Sequence, residues 1–336
     1  MTTNAAKAVA RRFAAVASLL TFALFTGCAA TTKTAPAETP SSAPAAPAAD
    51  AQKPAPPGAA TPAAAPAAAA KPPAIKPLFA TSPDGTKIAY EKTGTGPALM
   101  LVHGGGQSRR SWNDIGYVDR LSKSFSVITV DTRGNGNSDR PTTAAEYALD
   151  KMLADLLAVA DAASAPRFHI MAFGHGASIS RHLAARSDRV ISAVLVGADM
   201  GPTLTGPVKE AIAGMRAKWQ PLLDAQKAGT LDLTKFSYGD REAWNNGVAI
   251  SAVALGALAE YPPLEPSEIK APTLWLVGAA DTSAMENAKA YQGKLAGTQV
   301  TFKELSGLSY SDSFAKVEPV LAAAEPFLKE TVKPTS

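Results

Sequence analysis

A histidine held between two glycines, where a buried apolar run gives way to an amphipathic helical pattern, is the most chemically suggestive feature of this 336-residue chain. Residues 168–171 read as a strand and 180–186 as a helix, so Ala172-Phe173-Gly174-His175-Gly176 must make a sharp turn between them. A strand-turn-helix carrying G-x-S-x-G is a nucleophile elbow, in which small residues permit the bend and a serine hydroxyl is thrust outward to attack an acyl carbon. Here Gly174 stands at the centre. Sliding the frame to Gly174-His175-Gly176-Ala177-Ser178 puts a glycine, Gly176, at the centre again. The turn has the shape for acyl chemistry and lacks the attacking atom.

The elements that would position this turn are legible on both sides. Residues 78–81 and 87–91 flank the turn-rich Ser82-Pro83-Asp84-Gly85-Thr86 and read as a hairpin. The apolar run 98–102 ends in His103-Gly104-Gly105-Gly106, and the run 126–130 ends in a loop from Asp131 to Pro141. Two further apolar runs cover 190–196 and 273–277. Strands that are continuously hydrophobic and alternate with helical patterns, such as 146–162, imply a parallel sheet covered on both faces. Between 196 and 273 helical patterns dominate, notably 208–226 and 241–259.

On these motifs the chain resembles the α/β-hydrolase superfamily over residues 78–330. The parts that carry the resemblance are H-G-G-G after the third strand, D-x-R-G-x-G-x-S-D-R-P over 131–141, the elbow-like fifth strand, and the run ending in Gly278-Ala279-Ala280-Asp281. The resemblance implies a mostly parallel sheet flanked by helices, in a domain of residues 78–332 with a helical cap, about 203–268, inserted after strand 6. It implies that backbone N–H groups of Gly104, Gly105 and His175 form an oxyanion-hole-like site, where fixed donors face a developing negative charge. It places Asp281 at the triad-acid position, and it places Tyr310, within Ser306-Gly307-Leu308-Ser309-Tyr310-Ser311-Asp312, where the family has its catalytic histidine.

The chain thus departs from the family at two of three triad positions, Gly174 and Tyr310. Its four histidines are His103, His169, His175 and His182, none beyond residue 182. Glycine forms no acyl intermediate, and a phenol with an ordinary pKa of about 10 is a poor general base at neutral pH. The expected function is binding, of a small apolar ligand or a protein partner. Trp219, Phe236, Tyr238 and Trp244 would supply an apolar roof for such a ligand or form the cap's own core. The alternative is an active hydrolase of an ester or similar bond, in which His175 activates water with support from Asp131 and Asp281. Ser178 and Ser180 should lie past the turn on the helix, His182 on a helix face and His169 on a strand.

Other classes of site fare less well. Gly174-x-Gly176, a helix, a strand and Asp199 outline a dinucleotide fingerprint, but Ile179 occupies the third glycine position, where bulk obstructs close helix-strand packing. Histidine and cysteine do not cluster at metal-ligand spacing, so neither metal nor cofactor is expected.

The N-terminal region reads separately. Lys7, Arg11 and Arg12 precede an apolar run over 13–25 and then Thr26-Gly27-Cys28-Ala29, the pattern of a lipoprotein signal over residues 1–27 with Cys28, the sole cysteine, as the lipidation site. Residues 28–77 are nearly all Ala, Pro, Thr and Ser and read as a disordered tether. A periplasm-facing, lipid-anchored envelope protein is expected, at the outer membrane because Ala29 lacks the aspartate associated with inner-membrane retention. Of the formal net charge of +4, three charges lie in the signal, so its removal leaves +1. With no basic cluster interleaved with aromatics, no nucleic-acid partner is expected, and the run Arg109-Arg110 reads as solvated helix surface.

Overall fold

A computed structural model describes residues 76–331. The signal, Cys28 and nearly all of the tether lie outside the described residues. The strands are β1 (Leu78–Thr81), β2 (Lys87–Thr93), β3 (Ala98–Val102), β4 (Ser126–Val130), β5 (Phe168–Phe173), β6 (Val190–Val196), β7 (Thr273–Gly278) and β8 (Val300–Leu305). They form one sheet in the order β1-β2-β4-β3-β5-β6-β7-β8. The β1/β2 hairpin and the β2/β4 pair are antiparallel, and every pairing from β4 to β8 is parallel. The helices are α1 (Arg110–Ile115), α2 (Tyr117–Leu121), α3 (Leu149–Ala162), α4 (His175–Arg186), α5 (Gly206–Lys227), α6 (Tyr238–Asn245), α7 (Val248–Ala257), α8 (Thr282–Gln292), α9 (Asp312–Ala315) and α10 (Val317–Glu330). This is an α/β-hydrolase fold. Among the described residues no helix is long and apolar enough to cross a membrane.

The strand alternation builds a core on each face of the sheet. Met100 and Val102 of β3, with Ile170 and Ala172 of β5, join one cluster, while Leu99, Leu101, Met171 and Phe173 join the other. Residues of both parities are buried because helices cover both faces, as continuous apolar strands require. Each of these Val, Leu, Ile, Met and Phe side chains contributes about 1.5–3 kcal/mol relative to exposure.

Two helical patterns are interrupted. The stretch 146–162 begins as the 3-10 turn Ala144–Tyr147, then breaks at extended Ala148 before α3. The stretch 241–259 is divided between α6 and α7, because Gly247 takes φ 76°, a left-handed conformation glycine adopts freely. Three cap aromatics pack on one another and on the main core cluster, to which Trp219 belongs: Trp244 lies 6.3 Å from Trp219 and 5.7 Å from Phe236, while Tyr238 is 78% exposed and belongs to neither a roof nor a core.

Candidate active site

The elbow forms one residue at a time. β5 runs through Phe173, and α4 starts at His175, so the whole reversal falls on Gly174, at φ 51° and ψ −115°. Side chains rarely tolerate this region. The turn is pinned by Gly174 N–H donating to Val196 O at 2.9 Å and by Ser178 N–H donating to Gly174 O at 2.9 Å. Gly176 is needed for packing, since a Cβ there would sit 2.5 Å from the carbonyl oxygens of both Val102 and His103. Ser178 and Ser180 lie on α4 as the sequence predicts, and Ser178 Oγ donates back to Gly174 O at 3.2 Å.

The space a serine side chain would fill is taken by the Tyr310 hydroxyl. A Cβ built on Gly174 runs directly into that oxygen and lies 3.3 Å from Cζ of the same ring. The ring is gripped on its other sides: a Cβ on Gly197 would lie 3.0 Å from its Cε2, and the Phe173 ring centroid is 4.8 Å away. Tyr310 is 40% exposed as a residue, yet its hydroxyl end is enclosed at the elbow. Burial pushes the phenol above its ordinary pKa, and the nearby carboxylates of Asp281 and Asp199 add to the rise, so it remains a neutral donor at physiological pH.

Asp281 follows β7 and caps α8, where its Oδ1 accepts the Ala284 N–H at 3.3 Å. Burial raises its pKa. The sequence did not single out its neighbour Asp199 for this site, beyond the failed dinucleotide pattern. Burial pushes Asp199 up to about 6; Arg181 opposes the rise and Asp281 reinforces it. Arg181 itself is fully buried, donating from Nη2 to Thr203 Oγ1 at 2.6 Å and from Nη1 to the Asp199 carbonyl. Desolvation pushes its pKa down to about 10, with Asp199 opposing. An aspartate just beyond an apolar strand was the signal that could have found Asp199.

The oxyanion-hole-like donors separate into two kinds. Gly104 N–H is engaged by Gln107 Oε1 at 2.8 Å, which corrects its assignment as a free donor. The N–H groups of Gly105 and His175 take no acceptor among the described residues. These two residues are neighbours, since a Cβ on Gly105 would lie 3.7 Å from His175 Cβ; it would also lie 3.0 Å from Leu255 Cδ2, which puts α7 of the cap directly over them.

The constellation of His175, Asp131 and Asp281 is not assembled. Asp131 receives Arg109 N–H at 2.7 Å, Asn137 N–H at 2.8 Å and the Arg109 guanidinium, whose Nε pairs with Glu91 at 2.9 Å. Arg109 is therefore 2% exposed, a buried ion-pair partner instead of the solvated cation its sequence suggests. Asp131 acts on His103, not His175: His103 Nδ1 bonds Gly104 O at 2.8 Å while Nε2 accepts Thr132 N–H at 3.2 Å. His175 is buried with Nε2 unpartnered, and burial, with His103 adding, pushes it down to about 4, so it is neutral at pH 7. His169, bonded through Nδ1 to Ser192 Oγ at 2.8 Å, and His182, edge-on to Tyr261, lie in the core away from this chemistry. Among the described residues no group of acidic, histidine or cysteine side chains could hold a metal.

Sheet order, elbow and loops define the class: the described residues form a domain with the α/β-hydrolase fold. The family model described as alpha/beta hydrolase fold matches residues 97–227. Among curated relatives, an uncharacterised protein of Mycobacterium tuberculosis is 38% identical over 80 residues, covering 23% of this chain and 22% of the relative. A non-heme chloroperoxidase of Streptomyces lividans is 36% identical over 122 residues, 35% of this chain and 43% of that protein. The chain thus spans less than half the length of either. Among solved structures, a malate-bound thermophilic esterase from Thermogutta terrifontis aligns at a TM-score of 0.60 with 22% identity, covering 77% of this chain and 100% of that one.

Proposed function

We propose that this domain is a non-hydrolytic member of its superfamily that acts by binding, with a small apolar ligand held near the elbow beneath the cap. The observation that carries the reading is the Tyr310 hydroxyl filling the nucleophile's space at Gly174. Asp281, which would orient an imidazole in the family, instead caps α8 and faces a neutral phenol. Leu255 over Gly105 supplies an apolar contact, and the acceptor-free N–H groups of Gly105 and His175 suit a carbonyl oxygen on the ligand. We extend the proposal to a lipid anchor at Cys28 and a periplasm-facing protein at the outer membrane; a protein partner docking on the cap is the competing form of the binding reading.

An active hydrolase is the second reading, favoured by one feature: the His175 Nε2 is buried without a partner beside those same N–H groups. The two diverge in aryl-ester turnover and fluorophosphonate labelling of the wild-type protein. The binding reading predicts no labelling, and turnover no greater than the residual acceleration of about 10³–10⁴ over water that a site without its triad can give. Robust turnover that survives Tyr310→Phe and is abolished by His175→Ala would establish the hydrolase instead. Anchoring is tested apart: Cys28→Ala should move the protein from the membrane to the soluble fraction or leave it uncleaved, and unchanged fractionation and processing would remove the lipoprotein claim.

A further inference from the structure

A recess separate from the elbow lies between the loop at Arg140 and the cap helices α5, α6 and α7. Its volume is about 530 Å³, and Arg140, Lys227, Leu223, Trp244, Ala249 and Ile250 are among the residues that line it. Neither Gly174, His175 nor Tyr310 contributes to its walls.

The lining contains two cations and no carboxylate. Arg140 donates from Nη2 to the Gly136 carbonyl at 3.0 Å, and neither it nor Lys227 forms an ion pair among the described residues. Other cap cations behave differently: Arg216 pairs with Glu260 at 2.7 Å and Lys218 with Asp240 at 2.5 Å. The positive charge facing the recess is left without an internal counter-charge. The first turn of α7 adds to it, because Gly247 has no side chain to cap Ala249 or Ile250 and both residues border the recess.

The other wall is apolar and firmly held. Leu223 and Ala249 are buried, and Trp244 is braced edge-on by Phe236 at 89°. A ligand satisfying both walls carries an anionic head and an apolar tail. We propose that this cleft binds a small amphiphilic anion, with a carboxylate- or phosphate-type head between Arg140 and Lys227 and an aliphatic or aromatic tail against Trp244 and Ile250. The site is independent of the elbow: it requires no participation of Tyr310 and holds whether or not the elbow binds a ligand.

Decanoate, decanol and inorganic phosphate titrated calorimetrically into the full chain test this. Decanoate should bind saturably and more weakly as salt rises. Decanol, with the tail and no charge, and phosphate, with charge and no tail, should each bind at least about tenfold more weakly, a difference of about 1.4 kcal/mol. Arg140→Gln with Lys227→Gln should weaken decanoate by a similar factor. Both residues are exposed, so the fold should be unaffected, and Lys270→Gln with Lys303→Gln, exposed cations elsewhere, should change nothing. Equal binding of decanol and decanoate, or decanoate binding indifferent to the Arg140/Lys227 pair, overturns the proposal. Decanoate binding that is lost in Tyr310→Phe yet kept in the Arg140/Lys227 variant would also overturn it while supporting a ligand at the elbow. Binding only to phosphatidylglycerol vesicles, with no decanoate isotherm, would assign the cations to a membrane surface and overturn it likewise.

Discussion

In the loops after β3 and β4, the buried charges are answered by opposite charges. Arg109 lies between Asp131 and Glu91, and Arg133 forms a fork with Asp155, at 2.6 Å from each of Nε and Nη2, while its Nη1 reaches Asp84 at 2.9 Å. In the loops after β5 to β8, burial is not matched in this way. Asp281 adds to the cost of ionising Asp199, Arg181 leaves its Nε unpartnered, and His175 does the same with Nε2. Buried polar groups hold a fold when their partners are complete, and they are poised to interact with something else when they are not. The first region acts as scaffold. The second, which surrounds the elbow at Gly174, retains buried groups whose charge or hydrogen-bonding capacity is not fully answered.

The largest expected effect of breaking the contrast lies on the scaffold side. Asp155→Ala leaves the fully buried Arg133 with only the partly exposed Asp84 as a carboxylate partner, and should cost about 3–5 kcal/mol in denaturant unfolding. Asp281→Ala should cost far less, since it removes one half-buried helix cap worth about 1 kcal/mol and also relieves Asp199. Equal losses for the two variants would erase the distinction between the regions.

What the sequence could show follows from the range of each interaction. The strands 98–102 and 126–130 appear in the structure with the same bounds, because a fully buried parallel strand is a local apolar run. The elbow was legible as a turn, but the strand continues to Phe173 and the helix begins at His175, since a single strained glycine makes the whole reversal. The substitutions at Gly174 and Tyr310 could be aligned separately. Their interlocking could not, because it depends on the depth to which a loop after β8 inserts a ring beside β5. Arg109 departs from its sequence expectation for a related reason: a cation beside another cation, Arg110, looks solvated until the fold brings up Asp131 and Glu91 from two other strands.

An intermediate effect appears on acidification. Burial pushes His182 down to about 3, with Arg181 and Arg186 adding, and pushes His169 and His175 down to about 4. A histidine held neutral by the fold but protonated when unfolded contributes stability that is full above its unfolded pKa of about 6.5 and is lost as pH falls toward the folded value. Asp199, raised to about 6, works in the opposite direction, favouring the fold below pH 6 as its unfolded counterpart ionises from about pH 4 upward. Burial lowers His103 likewise and raises Asp155 and Asp281 as well as Asp199; the four imidazoles outweigh these carboxylates because their unfolded pKa of about 6.5 lies inside the window, so unfolding free energy should drop between pH 7 and pH 5. His182→Leu should flatten this slope by about 2 kcal/mol over that interval, and Asp199→Asn should steepen it. A slope unchanged by His182→Leu would show that this imidazole is not desolvated.

The smallest effect tests the central claim most directly, in a double-mutant cycle between Gly174 and Tyr310 followed by equilibrium unfolding. Gly174→Ser must accommodate both the backbone strain at φ 51° and a clash with the phenol oxygen, whereas in a Tyr310→Phe background that oxygen is gone and the strain remains. The two positions should therefore couple by about 1–2 kcal/mol, with Gly174→Ser costing less beside Phe than beside Tyr. If Gly174→Ser costs the same in both backgrounds, the Tyr310 hydroxyl does not occupy the nucleophile's place, and the non-hydrolytic reading of the elbow loses its foundation.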